Sequence, residues 1–108
     1  FFYRFIFLNY IFFNVCQLTS KETLFFIDFD DTIIVDGKVN LDAIELIYHA
    51  HNCCKKVYLI TKHNGDIYSQ LSKFRLTSLF DSIIHLQLGE NKVDYIRKFK
   101  YDKSIFID

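Results

Sequence analysis

From residue 23 onward, short continuous apolar runs alternate with stretches of helical period. Leu24 to Ile27 is an unbroken apolar run, the mark of a strand buried on both faces. Ile33 to Asn40 carries Asp36-Gly37 between β-forming residues, a strong signal for a two-residue hairpin turn. Asn40 is placed to cap a helix with apolar positions Leu41, Ile44 and Ile47. Val57 to Ile60 predicts a second buried strand, and Asn64 a cap for a helix striped by Ile67, Leu71 and Phe74. Ile83 to Leu86 predicts a third strand. A helix is predicted from about Asn91 to Phe99, with Val93 and Ile96 inward, and Ser104 to Ile107 predicts a fourth strand. Strands alternating with helices at this spacing predict an α/β fold, a Rossmann-like parallel sheet with helices on both faces.

Residues 1–20 break this pattern. Residues 1–15 hold six Phe, two Tyr and a single charge, Arg4. A membrane span needs about 20 apolar residues, and no small-residue cleavage site follows the run. A buried piece of a preceding region, a membrane anchor or signal, and translated non-coding sequence are the three readings. Two regions are therefore expected: the hydrophobic segment 1–20 and one domain over 21–108. The chain begins at Phe1, contains no Pro or Met, and stops at Asp108 directly after an apolar run. It reads as a fragment, or as one domain cut from a larger protein.

Composition narrows the class. At 108 residues and 51% hydrophobic, the chain has material for one core and is not a disordered segment. Thirteen basic residues balance thirteen acidic ones, so no bulk charge draws the chain to nucleic acid or acidic lipid. Three cysteines, two of them adjacent, make no disulfide framework, and a reducing, cytoplasmic setting is expected, with membrane anchoring through residues 1–15 as the alternative.

The chemistry gathers at strand ends, where ligands bind in open parallel sheets. The apolar run from Leu24 leads directly into Asp28, Asp30 and Asp31. Like charges this close repel and resist desolvation, so a cation or a charged reaction is the expected compensation. Period two places Asp28 and Asp30 on one side with Phe29 opposite, and Asp31 solvated or in a turn. The second predicted strand leads into Thr61, the fourth into Asp108, and Lys92 opens the helix before it. Asp28 and Asp108, on strands expected to be adjacent, have the ligand chemistry of a hard cation such as magnesium. A lysine in a first helical turn opposes the helix dipole, which favours a role for Lys92; Lys62 is the substitute. His49, His51, Cys53 and Cys54 do not match zinc spacing and read as a helix end. His63, two residues past Thr61, reads as a loop residue close enough to touch a leaving group.

DFDDT followed by Ile resembles the first motif of the haloacid dehalogenase-like (HAD) superfamily. KVYLIT ending in Thr61 is similar to its second motif, Lys92 to the third-motif lysine, and SIFID to the start of the fourth. LSKFRLTSLFDSIIHL resembles the family's helix-then-strand pattern, and the resemblance covers about residues 22–108. It implies a magnesium-dependent phosphohydrolase. Asp28 would be the nucleophile that forms an aspartyl-phosphate, and Asp30 the acid and then the base. Thr61 and Lys92 would bind the phosphoryl oxygens. Magnesium would be held by Asp28, the Asp30 backbone carbonyl and Asp108. An acid at position 30 resembles the family's phosphatases and phosphotransferases rather than its dehalogenases or ion pumps. The family places a further acid beyond the position of Asp108, so the site and the sheet are expected to continue past this chain.

Between Asp28 and Thr61 lie 32 residues, and between Thr61 and Lys92 lie 30, which leaves no room for an inserted cap domain. The resemblance then implies an open site, with the Asp36-Gly37 hairpin as a small flap. The substrate would be a phosphorylated small molecule or a larger phosphorylated partner, and the chain one part of a larger multidomain protein. Two other readings compete. One is a non-catalytic HAD-like binding or regulatory module. The other is a receiver domain, disfavoured because its phosphate-accepting acid ends a middle strand, whereas here the second strand ends in Thr61.

Overall fold

The computed structural model describes residues 2–3, 23–87, 89–99 and 103–108. The expectations for residues 1–20 therefore fall outside the described residues, apart from Phe2 and Tyr3. In chain order the elements are β1 (Phe2–Tyr3), β2 (Thr23–Ile27), β3 (Ile34–Val35), β4 (Lys38–Val39), α1 (Leu41–Asn52), β5 (Lys56–Thr61), α2 (Ile67–Lys73), β6 (Ser82–His85), α3 (Lys92–Ile96) and β7 (Lys103–Ile107). Five strands form one parallel sheet in the order β1-β7-β2-β5-β6, and β3 and β4 form a separate antiparallel hairpin.

The sheet is central because β2 is apolar on both sides. Phe25 and Ile27 face α1 and α2 in a core with Ala43, Leu46, Ile47, Val57, Leu59, Ile67, Leu71 and Ile105. Leu24 and Phe26 face the other way, against Ile60, Ile84, Ile96 and Phe106. Helices thus cover both faces, α1 and α2 on one and α3 on the other, as an alternating βα pattern requires. Phe26 makes edge-on ring contacts with Tyr58 and Phe99, at centroid distances of 5.8 and 5.3 Å. Burying such a ring stabilises the fold by several kcal/mol, about 3–5 on truncation to Ala.

The local signals act through identifiable contacts. Asp36 and Gly37 both take positive φ, 52° and 73°. That is the turn whose twist matches a hairpin, and it pairs Val35 with Lys38. Asn40 caps α1 by accepting from the Asp42 amide at 3.2 Å, while its own amide donates to the Thr32 carbonyl at 2.9 Å. One side chain therefore starts the helix and anchors the loop before it.

Four expectations are corrected. Leu41 is 75% exposed, and the buried stripe of α1 is Ala43, Leu46, Ile47 and Ala50; a helix starting at Leu41 rotates that residue outward. The cap of α2 is Asp66, not Asn64, and it accepts from the Tyr68 amide at 3.0 Å. Gly65, at φ 111°, is not helical, so the helix begins only after it. The helix expected over 91–99 ends at Ile96, because Lys98 and Phe99 bond three residues back and tighten the last turn. At the end of α1, Cys53 is disulfide-bonded, where no disulfide framework was expected, and Cys54 is a free, exposed thiol.

His51 donates through Nε2 to the Leu79 carbonyl at 2.7 Å, a tie between the end of α1 and the segment after α2. Among the described residues no helix is long and apolar enough to cross a membrane.

Candidate active site

The parallel register brings the acids together. Ile27 is level with Ile107 on β7 and Leu59 on β5, and Leu59 is level with Ile83 on β6. One residue further along, Asp28 and Asp108 emerge side by side at the carboxyl edge of the sheet. The Asp28 amide donates to the Ile107 carbonyl at 3.0 Å, which fixes this pairing past the end of the strands. Thr61 ends β5 opposite His85 on β6 and is fully buried.

Asp28 is 8% exposed. Its Oδ1 accepts from the Phe29 amide and from Lys92 Nζ, both at 2.8 Å. Lys92 reaches it from the start of α3, on the sheet face that Leu24 and Phe26 line, and its ammonium also lies 5.6 Å from the Phe106 ring. The lysine that opposes its helix dipole therefore has a counter-charge supplied by another element. Burial pushes the Asp28 carboxyl above its ordinary value, Lys92 and the Phe29 amide pull it down, and the neighbouring Asp108 carboxyl adds to the rise.

Asp30 is set by a turn rather than by strand period. The strand stops at Ile27, and the Phe29 carbonyl accepts from the amides of Thr32, Ile33 and Ile34 at 3.0–3.4 Å. Phe29 itself is buried in the core on the α1 face. Asp31 takes φ 62° and is exposed, the turn-forming role expected of it. Past the turn, the Asp30 side chain meets the loop that follows β5. There His63 Nδ1 lies 2.9 and 3.1 Å from its two oxygens. The two groups share one proton between Nδ1 and the carboxyl oxygens.

His63 is the residue that sequence reading placed only loosely. Its amide donates to Thr61 Oγ1 at 3.0 Å, its ring meets Phe29 edge-on at 5.4 Å, and its carbonyl accepts from His85 Nε2 at 2.7 Å. His85, which no sequence signal singled out, thus holds the loop that holds Asp30. Lys62 does not reach Asp28; it is exposed and lines a groove beyond His63.

The candidate residues form two groups. Asp28 is paired with Lys92 and stands beside Asp108, while Asp30, His63 and Thr61 make a second chain of contacts. Among the described residues no three His, Cys, Asp or Glu side chains converge as a metal cage. The oxygen donors on offer are the Asp28 and Asp108 carboxylates and the backbone carbonyls of the same edge. Comparison with known protein families, with characterised proteins and with solved structures finds no match for this chain.

Proposed function

We propose that the chain is a magnesium-dependent phosphohydrolase of the HAD-like type, with no cap domain, acting on a phosphomonoester through an aspartyl-phosphate. One observation carries the reading: a lysine from a separate helix sits 2.8 Å from a carboxylate buried at the carboxyl edge of a parallel sheet. That pair puts a nucleophile and a phosphoryl-binding cation within one phosphate's reach of each other.

In this reading, an oxygen of Asp28 forms a bond to phosphorus as the bond from phosphorus to the leaving oxygen breaks. Asp30, protonated, gives its proton to that leaving oxygen. Asp30, now ionised, takes a proton from water as the water oxygen bonds to phosphorus, which releases phosphate and regenerates Asp28. Lys92 and the Thr61 hydroxyl bind the non-bridging oxygens. Two carboxylates and a carbonyl are an all-oxygen set suited to magnesium, which keeps water and phosphate oxygens in its remaining positions. The adjacency of Asp28 and Asp108 at neighbouring strand ends supports this, because two ionised carboxylates side by side repel unless a cation lies between them. Asp28, Asp108 and the Asp30 backbone carbonyl would hold the ion, which would supply positive charge to nucleophile and substrate.

The test is phosphate release from an aryl phosphate, with and without magnesium, by the protein and by Asp28→Asn. Magnesium-dependent turnover that Asp28→Asn abolishes is the expected result. A folded protein that binds phosphate without turning over any ester would overturn the hydrolase reading in favour of a binding module.

A further inference from the structure

The groove beyond His63 lies past the ends of β5 and β6. It has a volume of about 490 Å³, and its walls include Lys62, His63, Asn64, His85, Leu86 and Gln87. A groove of this size holds a small organic ligand.

Two facts tie the groove to the site. His63 lines it, and the same His63 ring holds Asp30 at 2.9 Å. The acid that would protonate a leaving oxygen is therefore separated from the groove by one side chain, that of His63.

The chemistry of the walls is opposite to that of the edge. Asp28, Asp30, Asp31 and Asp108 make the sheet edge acidic. The residues lining the groove include no carboxylate; they offer an ammonium from Lys62 and amide donors from Asn64 and Gln87. Lys62 is exposed and makes no ion pair among those described, so its charge is available to a ligand. The loop is also fixed in place, since His85 donates to the His63 carbonyl at 2.7 Å. An anion on a leaving group is repelled by the edge and attracted by the groove.

We infer that this groove is the leaving-group subsite, and that it selects phosphomonoesters whose leaving group carries a second phosphate, with Lys62 the residue that reads it. The inference rests on the phosphohydrolase reading above. The experiment compares kcat/KM for a hexose bisphosphate with that for the matching hexose monophosphate, in the protein and in Lys62→Gln. The protein is expected to favour the bisphosphate by about 10-fold or more, the worth of one charge-assisted contact, and Lys62→Gln to bring the ratio close to one. A ratio near one in the unmodified protein, or a ratio that Lys62→Gln leaves unchanged, overturns the inference. If neither ester is hydrolysed, the phosphohydrolase reading fails, and calorimetric binding of the bisphosphate to Asp28→Asn decides the groove alone. Binding that Lys62→Gln abolishes keeps the groove as a site for that anion, and binding that survives the substitution removes it.

Discussion

Lys92 Nζ lies 2.8 Å from Asp28 Oδ1, and the two residues come from elements 64 positions apart in the chain. The carboxylate is nearly buried and the ammonium is 19% exposed. Even with that cation in contact, burial and Asp108 hold the Asp28 carboxyl above its ordinary value. The folded protein therefore carries a carboxylate that its own surroundings under-compensate, which is the condition a bound cation would relieve.

The first prediction follows from that imbalance. A carboxyl whose folded value is raised binds its proton more tightly in the native state than in the unfolded chain. Its contribution to stability is present below the ordinary value of 3.8 and is lost as pH rises through the raised native value. Asp28→Asn removes the charge and keeps the shape. Without divalent cations, Asp28→Asn is expected to melt at a higher temperature than the unmodified protein at pH 7, with the gap closing toward pH 4. Melting curves followed by circular dichroism across that range measure it, and a lower melting temperature for Asp28→Asn at pH 7 would show that Lys92 outweighs burial.

Removing the other partner has the opposite sign. Lys92→Met leaves Asp28 buried with its strongest compensating charge gone. The expected cost at pH 7 is about 1–3 kcal/mol by urea denaturation, the range for a hydrogen bond to a charged group. In Lys92→Met combined with Asp28→Asn the charge to be compensated is gone, so most of the cost is expected to disappear. Additive effects in that double-mutant cycle would mean that the contact contributes little.

Thr32 offers a test independent of the chemistry. Its hydroxyl oxygen is buried and has no hydrogen-bond partner among the described residues. An unsatisfied buried polar group costs about 1–3 kcal/mol, and Val has nearly the same shape. Thr32→Val is expected to raise stability by roughly 1 kcal/mol, read from the denaturation midpoint. A loss of stability would mean that the hydroxyl is satisfied in solution.

Some of this was legible in the sequence and some was not, for physical reasons. Strands buried on both faces leave continuous apolar runs, so β2 and β5 and the acids and threonine at their ends could be read directly. The adjacency of Asp28 and Asp108 followed from expecting neighbouring parallel strands. Phe29 packs in the same core as Phe25 and Ile27, as period two expects, but the strand stops at Ile27 and the partner of Asp30 is set by a turn, which no periodicity describes. Two cap residues stood close together at Asn64 and Asp66, and the positive φ of Gly65 decided between them. The contact between His63 and Asp30 joins two loops 33 residues apart, and its support from His85 spans another 22. Side-chain contacts between loops leave no pattern along the chain.

His63 gives the prediction that separates positioning from folding. Asp30 is 53% exposed at its side chain, so little besides the imidazole fixes its direction. Without that hydrogen bond the carboxyl is free to rotate, and a proton donor that samples several directions transfers less often. His63→Ala is expected to lower kcat for phosphomonoester hydrolysis by roughly 10-fold, within the range for a misplaced proton-transfer group. KM is expected to stay nearly constant, because in the proposed reaction Lys92 and Thr61, not Asp30, would hold the phosphoryl oxygens. His63→Asn keeps an N–H donor at the reach of Nδ1 and is expected to recover most of kcat, although the ring's contact with Phe29 is lost in both variants. A purely structural role predicts instead that both variants fall together, in proportion to their loss of stability, with no difference between Asn and Ala. Measuring kcat, KM and melting temperature for the two substitutions side by side distinguishes these outcomes.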